Sequence, residues 1–226
     1  MIPVEAGIGM MIDTVEGNRR FSWALRRRGR GPNLPFDRDL FDFAEAAVTP
    51  TVGAITPAWL LVVPRVASFC AAELPVQLRD QVVAIVREVR HEMSVFPGRT
   101  FLFEHGARKI GSATGCGVDQ AHLHLVNLEV DLIQTVLMTD PHMNWVAVNP
   151  LDPWETVPPD REYHLLGDLE TAFISYSGSG KSQYFRQVIA RELARPNEWD
   201  YRLFTHEQNA RKTASLIDAR RERSAA

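Results

Sequence analysis

Apolar and polar positions along the chain change period several times, and each change marks an element. Over residues 77–93, Val82, Val83, Val86 and Val89 recur at helical spacing, while Arg79, Asp80, Arg87, Glu88 and Arg90 take the other side. That pattern predicts an amphipathic helix, with Pro75 near its start and Pro97-Gly98 after its end. Trp59-Leu-Leu-Val-Val63 is an unbroken apolar run of strand length, closed by Pro64. Residues 40–43 and 100–103 read as short strands, 120–130 as a longer alternating one, and 145–148 and 170–177 as further strands. Residues 104–117, with Gly106, Gly111, Gly115 and Gly117, read as a loop, and 131–138 as a helical turn. Two helices are predicted at the end. One covers 182–194, with Phe185, Val188, Ile189 and Leu193 on one face; the other covers about 206–221.

Composition narrows the class without naming a function. The 226 residues are 45% hydrophobic and 23% charged, as in an ordinary globular protein. They suggest one domain with an extension, or two small ones. A wholly disordered chain and a coiled coil are excluded. A net charge of -3 gives no sign of a dedicated nucleic-acid partner. The two cysteines, Cys70 and Cys116, form no Cys-x-x-Cys pair. Neither a zinc ribbon nor a disulfide framework is expected, which fits a reducing cytoplasm. Residues 1–11 are apolar but short, lack a basic flank and contain Glu5, so no signal peptide is expected. The uncharged run 46–64 is broken by Pro50, Pro57 and Pro64 and reads as loop plus buried strand, not a membrane span. Arg19, Arg20, Arg26, Arg27, Arg28 and Arg30 crowd the first 35 residues, and Pro32 and Pro35 follow. Those arginines suit a phosphate-attracting arm or, as taken here, a solvated surface segment. The Arg and Ala content suggests a bacterial source.

The chemistry concentrates in Gly115-Cys-Gly-Val-Asp-Gln-Ala-His-Leu-His-Leu-Val126. On a strand, alternate residues share a face. Gln120, His122 and His124 would then point one way, while Ala121, Leu123 and Leu125 enter the core. Polar groups in a row need partners, and the glycine loop ahead of them could cradle an anion with its amides. Two imidazoles beside such a nest suit attack on phosphorus by one and polarisation of the phosphoryl oxygens by the other. His-x-His on a strand could also supply two ligands of a metal site, with Glu104 or His105 as the third; no metal or other cofactor is assigned.

Phe103-Glu-His-Gly106 followed by that glycine loop and His strand resembles the histidine triad (HIT) superfamily, whose signature is His-φ-His-φ-His-φ-φ with φ apolar. Trp59-Leu-Leu-Val-Val-Pro-Arg65 resembles the family's Gly-His-x-Leu-hydrophobic-Pro-Lys/Arg strand. Phe41-Asp-Phe-Ala-Glu45 is similar to the strand over which its nucleotide enters. The likeness covers about residues 36–130. Ser182-Gln-Tyr-Phe-Arg186 and Trp199-Asp-Tyr-Arg202 resemble the tail of bacterial HIT-like proteins. The resemblance implies an α+β fold, with an antiparallel sheet carrying the His strand, a helix across it and a C-terminal strand and helix extension. Residues 36–150 would form the HIT-like domain, and 151–226 an extension packed on it. It also implies a homodimer and a nucleotide or nucleotidyl conjugate as substrate.

His122 falls on the nucleophile position, where attack on the α-phosphorus would form a nucleotidyl-histidine. His124 falls on the phosphate-contacting position, and Glu45 on the acid that holds the ribose. Cys116 and Gly117 fall in the phosphate loop, with Glu104 placed among the binding groups. Gln120 replaces the first histidine, Ala58-Trp59 replace the usual Gly-His, Ala67 replaces another histidine and Cys116-Gly117 replace Gln-Ser. These departures point to an altered substrate or to binding without turnover; a metal-dependent enzyme with His122 and His124 as ligands is the third reading. Ser177-Gly-Ser-Gly-Lys-Ser182 also resembles the end of a Walker A loop. Ser175 stands where its first glycine belongs, and only 44 residues follow Ser182. An NTPase is therefore not expected, although Lys181, Ser182 and Gln183 could help hold a phosphate at a helix N-terminus.

Overall fold

A computed structural model describes residues 20–27, 29, 31 and 36–225. Residues 1–19, and with them Arg19, lie outside the described residues, as do Arg28, Arg30, Pro32 and Pro35.

The described residues form an α+β fold around one antiparallel sheet of seven strands in the order β1-β2-β4-β3-β6-β7-β5. The strands are β1 (Ala46–Pro50), β2 (Trp59–Pro64), β3 (Arg99–Gly106), β4 (Leu123–Leu128), β5 (Trp145–Val148), β6 (Tyr163–Gly167) and β7 (Ala172–Ser175). Four helices accompany them: α1 (Val76–Glu92), α2 (Leu132–Thr139), α3 (Tyr184–Glu192) and α4 (Glu207–Ala225). The strand expected over residues 40–43 is displaced to β1, because Asp39 accepts the amides of Phe41 and Val48 and holds 40–43 as a bend. The helical turn expected after residue 131 is the two-turn helix α2, capped by Asp131, whose carboxylate accepts the Gln134 amide at 3.0 Å. Strand β6 escaped the sequence pattern altogether.

Strand alternation divides the core in two. Leu60, Val62, Leu102, Leu123, Leu125 and Leu165 face α1 and α4, where they meet Val82, Val86, Val89 and Ile217. Trp59, Phe101, Phe103, Val126 and Leu166 face the other way, against α2 and α3. The sequence of β4 shows why: every second residue is apolar toward α1, so the intervening His124 is delivered to the α3 side. Register then gathers imidazoles there. Phe103 on β3 lies opposite His124, and His105 lies opposite His164 on β6. The last residue of β3 is Gly106, where any Cβ would stand 2.2 Å from the Tyr163 ring.

Candidate active site

Four of the seven histidines meet on the α3 face of the sheet. The His122 and His124 rings are 5.1 Å apart, His105 is 6.2 Å from His124, and His164 is 5.4 Å from His105. All four are buried. Burial holds His105 and His124 well below the ordinary imidazole range and lowers His122. Burial also takes His164 down to about 4. The cluster is therefore neutral at pH 7.

Hydrogen bonds fix the tautomers of the central pair. His122 Nδ1 lies 2.7 Å from the Gln120 carbonyl oxygen. A carbonyl only accepts, so Nδ1 carries the proton and Nε2 keeps its lone pair as an acceptor. That Nε2 points to the Cys116 Sγ at 3.5 Å. His124 is the mirror case. The Trp59 indole donates to its Nδ1 at 3.0 Å, and an indole nitrogen only donates. The proton of neutral His124 is consequently on Nε2, which has no hydrogen-bond partner among the described residues. Phe103 stacks on the His124 ring at 4.5 Å and stops it turning. One imidazole thus offers a lone pair, and its neighbour a hydrogen-bond donor.

Gln120 does not join that face. Strand pairing of β4 begins only at Leu123; before it, the Ala121 amide donates to Ser68. The Gln120 side chain turns away to donate to the Pro64 and Val66 carbonyls at 3.3 and 2.9 Å. Only its backbone oxygen serves the site. Gly117 has a φ of 79°, the left-handed region that favours glycine. Next to it, the Tyr201 hydroxyl donates to the Cys116 carbonyl at 3.1 Å. Burial pushes the Cys116 thiol up to about 12, so it stays protonated between His105 Nδ1 and His122 Nε2.

The remaining sequence candidates are scattered. Glu104 lies on the α1 face, where its carboxylate accepts from the Ala71 amide, the Trp154 indole and the Tyr163 hydroxyl at 2.7, 2.9 and 2.6 Å. Parity along β3 separates it from His105 and from the imidazole pair. Glu45 is half-buried ahead of β1, where its carbonyl receives the Arg65 amide. Lys181 and Ser182 are both exposed, with Lys181 Nζ 3.7 Å from Asp140. Gln183 is buried, donates to Asp200 at 3.1 Å and accepts the Tyr201 amide. It therefore braces Tyr201, which in turn holds the Cys116 carbonyl.

Sequence reasoning missed Arg186, Tyr201, His164 and the covering role of Phe21. The clue to Arg186 was an arginine set inside the apolar face of α3, between Phe185 and Val188. Its guanidinium is buried, lies 4.8 Å over the Trp59 ring, and donates to the Trp199 and Gly53 carbonyls. Burial lowers it to about 10, so it stays charged. Among the described residues no carboxylate forms an ion pair with it. Arg186, Arg20, Phe21, Cys116, His122 and His124 line a cavity of about 20 Å³, space for about one water. Phe21 closes the cavity, with its ring 5.5 Å from that of His122. An ion pair of Arg20 with Asp37 at 3.0 Å and contacts of Phe21, Trp23 and Ala24 with Leu61 and Val63 hold it there.

Ligating atoms of His105, Cys116 and His124 lie within 4.8 Å of one another, a donor set of the kind zinc takes. The protonation state of His124 does not suit a metal. Binding through Nε2 requires that nitrogen to lose its proton while Nδ1 still faces an indole N–H, which leaves an imidazolate.

No protein-family model matches the chain, and no curated protein matches it significantly. Among solved structures, the chain is similar to a uridylyltransferase at 13% identity and a TM-score of 0.33, over 74% of this chain and 77% of the other. It is also similar to a uridylyltransferase mutant at 12% identity and a TM-score of 0.38, over 85% and 90%. Likeness at this level carries no function across. No helix among the described residues is long and apolar enough to cross a membrane.

Proposed function

We propose that the protein is a nucleotide hydrolase or nucleotidyltransferase that works through a covalent nucleotidyl-His122 intermediate. The observation that carries this reading is the pair of opposite tautomers. His122 holds a lone pair on Nε2 because Gln120 accepts its Nδ1 proton. His124, whose Nε2–H has no partner among the described residues, lines the same small cavity. Arg186, which no carboxylate pairs among the described residues, gives that cavity a positive wall, which suits a phosphoryl group.

In the reaction, His122 Nε2 attacks the α-phosphorus, and the bond from phosphorus to the leaving group breaks. The leaving atom keeps the electron pair. The new N–P bond leaves the imidazole ring cationic, with its Nδ1–H still donated to the Gln120 carbonyl. His124 Nε2–H and Arg186 face the phosphoryl oxygens, where charge builds up. Water, or another acceptor, then attacks phosphorus from the opposite side and loses its proton to solvent, and the N–P electrons return to Nε2. Burial of His122 keeps it unprotonated through neutral pH, as a nucleophile requires.

The function is tested by incubating the protein with a panel of nucleoside phosphoanhydrides, phosphoramidates and acyl phosphates and measuring release of nucleoside monophosphate. Wild type is expected to release it, and His122→Ala to fall to background. Release that persists in His122→Ala refutes the mechanism. Nucleotide binding by both proteins without release by either favours a binding module.

A further inference from the structure

We infer that Trp59 is a positioning residue that locks His124 as a neutral Nε2–H donor, so that the site favours nucleotidyl leaving groups that depart as stable anions over amines. The inference rests on the catalytic reading above for its second half, but the tautomer itself does not depend on it. Trp59 is fully buried at the start of β2. In the β2–β4 register His124 lies opposite Leu61, one diagonal step from Trp59, within reach of an indole. Arg186 covers the Trp59 ring on one side, and Phe103 packs edge-on at 5.9 Å. The indole therefore has one orientation, and its N–H ends on His124 Nδ1 at 3.0 Å.

Two consequences follow from that bond. A second proton on His124 would set Nδ1–H against the indole N–H, donor to donor, and break it. Loss of the Nε2 proton would leave an imidazolate. His124 can therefore orient and stabilise a phosphoryl oxygen, but it cannot pass a proton to a leaving group. The other groups around the cavity do not replace it. The Gln120 amide is spent on the Pro64 and Val66 carbonyls, and the Thr51 hydroxyl on the Val52 carbonyl. The Tyr201 hydroxyl is committed to the Cys116 carbonyl. The Cys116 thiol lies between two neutral imidazoles, and burial keeps both it and the Tyr201 hydroxyl at about 12. His105 is held neutral first by burial, with the Arg186 cation acting in the same direction. A phosphate or phenolate leaves with the electron pair of its P–O bond and needs no proton. An amine leaving from a P–N bond must be protonated as that bond breaks.

The experiment has a spectroscopic and a kinetic arm. Nitrogen-15 NMR of the wild-type protein, with His124 assigned by His124→Asn, reads which ring nitrogen carries the proton. Protonation at Nε2 is expected; a proton on Nδ1 overturns the inference whether or not Trp59→Phe folds. The kinetic arm compares the p-nitrophenyl ester of a nucleoside 5′-monophosphate with the matching morpholidate. In wild type the ester is expected to exceed the morpholidate in kcat/KM by at least about 100-fold, the smallest contribution usual for a general acid. In Trp59→Phe, which keeps an aromatic ring but loses the donor, the donor-to-donor bar to a second proton on His124 is lifted, while burial still acts against that proton. The ester-to-morpholidate ratio is then expected to fall by about 10-fold or more, part of what a general acid contributes. Equal rates for both substrates in wild type, or an unchanged ratio in Trp59→Phe, overturn the leaving-group preference. Turnover of neither substrate refutes the catalytic reading and the preference with it, while the NMR arm still decides the tautomer.

Discussion

His164 offers a measurement whose size follows from its surroundings. It sits on β6 opposite His105, against Tyr184 and Phe185, and neither ring nitrogen has a hydrogen-bond partner among the described residues. Desolvation takes it from the ordinary 6.5 to about 4. The folded chain therefore resists a proton that the unfolded chain accepts. Between those two values the unfolded state binds more protons, so stability is fully present above pH 6.5 and is lost as pH falls toward 4. At about 1.4 kcal/mol per tenfold change, the whole gap is worth on the order of 3 kcal/mol. His164→Phe removes the titration and keeps an aromatic ring among aromatic neighbours. The assay is urea unfolding of wild type and His164→Phe at pH 7, 6, 5 and 4. Wild type is expected to lose about 3 kcal/mol more than the variant over that range. At pH 7 the variant should match or exceed wild type by about 1 kcal/mol, since no hydrogen bond is sacrificed and an unpaired polar group is removed. Parallel stability curves for the two proteins would refute the reasoning.

Other expectations concern the site itself. Because burial lowers His122, the acid limb of kcat/KM should fall below the ordinary imidazole value, leaving the rate flat through neutral pH; a half-maximal point at or above pH 6.5 contradicts this. Gln120→Ala leaves the Pro64 and Val66 carbonyls without their donor, so it should cost about 1–3 kcal/mol in thermal or urea unfolding. Loss of activity in that variant without loss of stability would instead assign the Gln120 side chain to catalysis. Arg186→Met should raise KM for an anionic nucleotide at least about 10-fold, the effect of losing one charge-assisted hydrogen bond; an unchanged KM removes Arg186 from the binding wall. Phe21→Ala should raise kcat/KM, since Phe21 closes a cavity that admits about one water; a lower kcat/KM would make Phe21 a substrate contact rather than a cover.

Much of the frame was legible in the sequence because it depends on local periodicity. The valine stripe of α1 and the apolar run of β2 end within a residue or two of the predicted limits. His122 and His124 stood out as polar groups alternating with core residues. What stayed hidden depends on pairing between distant segments. Glu104 and His105 are neighbours in sequence, yet pleating places them on opposite faces of the sheet, and only the α1-side partners Tyr163 and Trp154 show which way Glu104 turns. Gln120 has the right spacing from His122, but strand pairing starts after it, so the parity argument does not reach it. His164 joins the cluster through the β3–β6 register, which no local pattern encodes. Arg186 and Phe21 are brought in by α3 and by a turn ahead of the sheet. Trp59 was noted as a departure from a histidine, but its importance lies in being a pure donor next to an imidazole.

The central claim is that His122 becomes covalently nucleotidylated. Intact-protein mass spectrometry after brief mixing with the p-nitrophenyl ester of a nucleoside 5′-monophosphate tests it most directly, with peptide mapping to locate any adduct. The account predicts an acid-labile increase of one nucleoside monophosphoryl group on wild type, mapped to His122 and absent from His122→Ala. Release of nucleoside monophosphate by wild type with no adduct trapped at any mixing time, or an adduct that persists in His122→Ala, would contradict it.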